Sequence, residues 1–165
     1  MKILNAIYLN KLQQKFNMPI ELTSTNAEFF VTGTSVVEPI ARLLIAAILG
    51  AVVGLERQLT KKRVGLRTYM LVSMGAALFT VISTFEFQVD PARVAGGIVT
   101  GIGFLGAGSI IASRGQVHGI TTAASLWAVA GVGLAAGSGN YILAVVAAIL
   151  VFVILHLKAV IKNLE

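Results

Sequence analysis

GIGFLG, residues 101–106, matches the G-x-G-x-x-G spacing of a dinucleotide-binding turn, and its reading decides between a soluble α/β domain and another fold. The fingerprint needs a strand before it, a helix after it and an acidic residue about 20 positions on to hold a ribose hydroxyl. After Gly106 the next acidic residue is Glu165. No nucleotide is expected there. Working outward, no charged side chain lies between Arg93 and Arg114, none between Arg67 and Glu86, and none except His118 and His156 between Arg114 and Lys158. A bilayer-spanning helix needs about 20 mostly apolar residues. With 56% of residues hydrophobic and 12% charged, the chain carries about half the charge of a soluble domain. The predicted fold is all-α, a polytopic bundle of membrane helices.

Five spans are expected: about Val36–Leu55, Leu66–Phe85, Asp90–Ser113, Thr121–Ala136 and Tyr141–Leu157. Asp90 can cap the third, where Pro91 fits the first turn, and GSGN at 137–140 breaks the last uncharged stretch in two. Arg42, in the first turns of span one, can snorkel to the interface. Residues 1–35 read as an extension, with Leu4, Ile7, Leu12 and Phe16 suiting either an interfacial helix or an unstructured tail, followed by a polar linker; 158–165 read as a short tail. Asn5 and Asn10 interrupt any signal-peptide core. The loop ERQLTKKRVGLR holds Arg57, Lys61, Lys62, Arg63 and Arg67, against Arg93 alone in the next loop, so the rule for Lys and Arg places the first loop in the cytoplasm. The N-terminus then lies outside and the C-terminus inside.

The glycines read as packing surfaces. Gly97, Gly101 and Gly108 share one helical arc, and Gly96 and Gly103 share another with Ala107, with Gly106 nearby. Gly50 and Gly54 in span one repeat the four-residue spacing, as do Ala124 and Ala128, and Gly133 and Gly137, in span four. Helices in lipid associate through such small-xxx-small faces, which predicts a central span three clasped by two neighbours. The alternative is local unwinding of GIGFLGAGS along a polar cavity.

Ionisable groups at membrane depth are expensive and mark function. The candidates are Glu56 and Arg57 closing span one, Arg67 opening span two, and Asp90 and Arg93 opening span three. Each reads either as an interfacial anchor or, for Glu56 with Arg67, as an ion pair gating an inner cavity. Lys61, Lys62 and Arg63 read as meeting anionic lipid. Thr121, Thr122 and Ser125 suit capping or cross-helix hydrogen bonds, and Trp127 is placed to pack in the core or on the glycines of span three. Neither His118 nor His156 has a second ligand in its segment, and cysteine is absent, so no metal site or cofactor is expected. No catalytic arrangement assembles on one membrane face, so no enzyme is expected. The net charge of +6 flanks apolar runs without interleaved aromatics, which argues against nucleic acid.

GLERQ (54–58), GLRTYMLVSMGAALF (65–79), DPARVAGGIVTGIGFLGAGSII (90–111) and GITTAASLWAVAGVGLAAGSG (119–139) resemble, in order, the membrane domain of the MgtC/SapB family. The resemblance covers about residues 36–157. It implies a multi-pass protein of the bacterial cytoplasmic (inner) membrane, associated with adaptation to low magnesium and with virulence, acting on other membrane proteins. Larger members carry a soluble C-terminal domain, which is not expected in a chain that stops at Glu165. The rival expectation is a small-ion transporter or channel. The lipid bilayer and other membrane proteins are the expected partners, with a homo-oligomer left open.

Overall fold

The computed structural model describes residues 34–85, 90–113 and 116–162, and the extension expected over 1–33 lies outside them. The chain divides into two units, Met1–Glu38 and Pro39–Glu165; the first helix begins in the first unit, and the packing described below is that of the second. In chain order the elements are α1 (Thr34–Leu59), α2 (Leu66–Phe85), α3 (Pro91–Gly108), β1 (Ile111–Ser113), β2 (Gln116–His118), α4 (Ile120–Gly137) and α5 (Tyr141–Lys162). Val36–Leu59, Leu66–Phe85 and Ile120–Gly137 are long and apolar enough to cross a membrane. Shorter apolar helical stretches run over Ala92–Gly108 and Tyr141–Leu157.

Helix ends follow local chemistry. Asp90 caps α3 by accepting a hydrogen bond from the Arg93 amide at 3.1 Å, with Pro91 in the first turn. GSGN forms the α4–α5 break. The Gly139 amide donates to Ala136 and the Asn140 amide to Ala135, both at 3.0 Å, while Gly139 takes φ +85°. This is the Schellman closure, in which a left-handed residue satisfies the last carbonyls of a helix. Asn140 Oδ1 then accepts from the Leu143 amide at 3.2 Å and starts α5. Span three ends earlier than expected. Ser109 turns back, its Oγ donating to the Gly106 carbonyl at 2.7 Å, and the chain leaves the helix for a two-stranded antiparallel ribbon pairing Ile111 with His118 and Ala112 with Val117.

The core is made of small side chains and backbone. One cluster joins Ala46 of α1, Ala77 of α2, Val132, Ala135 and Ala136 of α4, and Ala144 and Ala148 of α5. A second joins Val53, Tyr69, Leu126, Val129 and Leu155. The clasped helix is α2, not α3. A Cβ on Gly50 would lie 2.6 Å from the Tyr69 carbonyl oxygen, and one on Gly54 2.8 Å from Leu66 Cα. From the other side, a Cβ on Gly133 would strike the Ser73 carbonyl and one on Gly137 would lie 2.7 Å from the Ala77 carbonyl oxygen. Such approaches admit hydrogen alone. The glycines of α3 behave differently: a Cβ at Gly96, Gly97, Gly101, Gly103 or Gly108 would meet nothing within 4 Å, and one at Gly106 reaches only ordinary contact with Ala123 at 3.6 Å. Helix α3 packs through Ile98 and Ile102 against Ala76 and Ala130, which leaves Gly97 and Gly101 to line an open groove. It is helical through Gly108, so the unwound alternative is not adopted.

Candidate functional site

The last turn of α1 places two charged residues inside the protein. Glu56 is 5% exposed and Arg57 4%. A buried charge is costly unless paired and hydrogen-bonded. Arg57 Nη1 donates to Glu56 Oε2 at 3.4 Å, and Nη2 donates to Thr122 Oγ1 on α4 at 3.5 Å. Both are long beside the roughly 2.7–2.9 Å of a strong charge-assisted bond. The buried Arg57 Nε has no partner among the described residues. The guanidinium is held in place with donor capacity to spare.

Below it runs a second polar chain. Ser125 Oγ donates to the Thr122 carbonyl at 2.9 Å, so its one proton is used, and the Tyr69 hydroxyl donates to Ser125 Oγ at 2.6 Å. Tyr69 is fully buried. These bonds tie α2 to the first turn of α4, the turn that also meets Arg57.

The α1–α2 loop closes with its own Schellman pair: the Lys62 amide donates to the Arg57 carbonyl at 2.9 Å and the Lys61 amide to Gln58 at 3.0 Å. Lys61 occupies the left-handed position, φ +53°, that glycine usually fills. Across from it, the β1–β2 ribbon returns the chain to Gly119, which caps α4 at φ +97° without a side-chain hydrogen bond to the first amides. A Cβ on Gly119 would strike the Ser109 carbonyl. Between these segments lies a cavity of about 590 Å³, lined by Arg57, Lys61, Lys62, Arg63, His118, Ser109 and the α4 residues Thr121 and Thr122 among others, with no carboxylate among the described residues that line it.

The structure thus joins Glu56, Arg57, Thr121 and Thr122 at one end of the bundle and separates the remaining expected residues from them. Glu56 pairs with Arg57 rather than with Arg67, which stands exposed on the first turn of α2. Asp90 and Arg93 form an exposed pair at 3.6 Å. Trp127 is 55% exposed on the outer side of α4, so it packs neither in the core nor on the α3 glycines. Thr121 and Thr122 do not cap α4, because Gly119 holds that position. Tyr69 and Arg42 were missed as site residues. Arg42 Nη1 donates to the Gly137 carbonyl at 2.7 Å, and its guanidinium lies 5.2 Å from the Phe85 ring centroid, so it stays inside to close the end of α4 instead of only snorkelling. An arginine within an apolar helix was the available signal. For Tyr69 the signal was a hydroxyl in an apolar run facing the SxxS-like polar start of α4.

Between α2 and α3 lies a second, apolar cavity of about 640 Å³, open on one side and lined by Gly75, Phe79, Gly97, Ile98, Gly101 and Leu105 among others.

A bundle of apolar helices with backbone-to-backbone contacts and charges gathered at its ends defines a polytopic helical membrane protein. The chain belongs to the MgtC family, whose profile matches residues 43–164. It is 40% identical over 128 residues to YhiD of Escherichia coli strain K12, named as a candidate magnesium transporter, covering 72% of this chain and 60% of that one. Protein MgtC of Salmonella typhimurium strain LT2 is 46% identical over 112 residues, covering 68% of this chain and 48% of that protein. An uncharacterised Haemophilus influenzae protein is 36% identical over 134 residues, covering 74% and 56%. The chain therefore spans about half to three-fifths of the length of these relatives. No solved structure matches it significantly.

Proposed function

We propose that this chain works in the bacterial cytoplasmic membrane as a modulator of partner membrane proteins during magnesium limitation or host stress, without catalysing a reaction. The observation that carries the reading is the open face of α3. The four-residue glycine pairs of α1 and α4 are consumed within the chain, whereas Gly97 and Gly101 line an apolar groove against α2 with space for an added side chain. A partner's transmembrane helix can use such a face for close backbone approach. The link to magnesium rests on the names of the relatives.

The proposed topology has five crossings, with the N-terminus outside and the Arg57–Arg67 loop in the cytoplasm. The apolar stretches of α3 and α5 fit the lower end of spanning lengths, about 17 residues, with local thinning of the bilayer. The test has two arms. Cross-linking in native membranes from cysteines at Gly97 or Gly101 should capture the same membrane proteins repeatedly, and Gly101→Leu should abolish capture while the chain remains folded. Purified chain in liposomes should give no protein-dependent flux of Mg²⁺ or protons. Reproducible flux lost in Arg57→Ala would replace the modulator with an ion transporter or channel.

A further inference from the structure

The cavity beside the α1–α2 loop is separate from the α3 groove, and its chemistry points to a different occupant. We propose that it binds a phosphate-bearing anion. Lys61, Lys62 and Arg63 border it from one side and His118 from another, with no carboxylate among the described lining residues. Glu56 pairs with Arg57 behind the wall, but the like charges of Lys61, Lys62 and Arg63 gather here, and such a gathering is stabilised when an anion shares the space.

Three further observations make this a built site rather than a basic surface. Arg57, 4% exposed, reaches the wall while bonded to Glu56 at 3.4 Å and Thr122 at 3.5 Å, with the Tyr69 hydroxyl also beside it, and its Nε is unpartnered among the described residues. Helix α4, 18 residues long, begins at the cavity with Gly119 as a cap that offers no side-chain acceptor, so no side-chain cap offsets the positive end of its dipole there. Lys61 sits in a left-handed conformation that costs a non-glycine residue energy, at the place where glycine would close the helix without strain. A lysine there brings a basic side chain to the cavity wall. The volume of about 590 Å³ is larger than inorganic phosphate needs and suits a phosphate carried on a larger body. That body is either the headgroup of an anionic phospholipid or a free phosphate compound.

The test uses the full chain and two probes. In detergent, inorganic phosphate is titrated against a fluorophore placed at Gln58; in nanodiscs of phosphatidylcholine, phosphatidylglycerol is added in steps. A saturable response to phosphate identifies a free anion as the source. A saturable response to phosphatidylglycerol without one to phosphate identifies the lipid headgroup. In either arm Lys61→Gly should weaken binding about tenfold, as expected for losing one charge-assisted hydrogen bond. Its melting temperature without anion should not fall, because glycine relieves the left-handed strain. Arg93→Gln, an equal loss of charge on an exposed helix start outside the cavity, should leave binding unchanged. No saturable response in either arm, or equal weakening by Arg93→Gln, would overturn the proposal. A failure here leaves the α3 reading intact, since its cross-linking readout does not involve this cavity.

Discussion

Ser73 shows what decides packing at the scale of a residue. Its backbone meets Gly133 on one side while its Cβ faces Gly50 on the other, and the whole residue is excluded from the surface. Gly133→Ala would place a methyl group against a carbonyl that belongs to a helix and cannot step aside, so it should destabilise the bundle by about 1–3 kcal/mol, the usual cost of overpacking. Gly101→Ala should do the reverse, leaving stability unchanged or raising it by up to about 1 kcal/mol, because the new methyl meets nothing and glycine is a poor helix former. Denaturation of the two variants in the same detergent separates them. Tyr69→Phe should cost about 0.5–1.5 kcal/mol in the same assay, since Ser125 keeps its bond to Thr122 and the loss is confined to the hydroxyl's own bonds to Ser125 and Arg57. The sequence showed both kinds of glycine and could not tell them apart. Four-residue spacing determines that two glycines share a face, and it carries no information about what lies opposite.

At the scale of elements, punctuation was legible where it consists of side-chain chemistry. Asp90-Pro91 and GSGN marked helix ends that the structure places within a residue or two of their expected positions. The α4–α5 turn depends on both halves of its motif. Gly139→Ala should cost about 1–2 kcal/mol for its left-handed conformation, and Asn140→Ala about 0.5–2 kcal/mol for the lost cap on α5, read as shifts in melting temperature. The ribbon after α3 was not legible. Three-residue strands are too short to show a period of two, and the apolar Ile110-Ile111-Ala112 continues the composition of the helix before it. What ends α3 is Ser109 competing for the Gly106 carbonyl, a local bond that serine can equally form without stopping a helix. Of the basic run in the first loop, the sequence alone carries the charge. That it forms a wall follows from the ribbon and the start of α4, both distant in sequence.

At the scale of the whole molecule, the absence of cysteine gives a direct test of topology. Single cysteines at Gln58 and Ala92, both exposed, should react with an impermeant reagent from opposite sides of the membrane; labelling of both from one side would exclude an odd number of crossings between them. The apolar character of the bundle and its helix count were legible because bilayer thickness imposes length and composition on every span. Neighbour relations were not, because in lipid they rest on backbone approach, which composition does not encode. The double clamp on α2 also imposes an order in time. Its face toward α1 can close as soon as α2 leaves the ribosome, but its face toward Gly133 and Gly137 has no cover until α4 is made, 52 residues after Phe85 (137 − 85). At about 5–20 residues per second that interval is roughly 3–10 s. During it the newly inserted α1–α2 hairpin presents the Ser73–Ala77 stripe to acyl chains, and the nascent protein is a half-built assembly whose exposed seam any other small-faced helix in the insertion machinery's vicinity could occupy first.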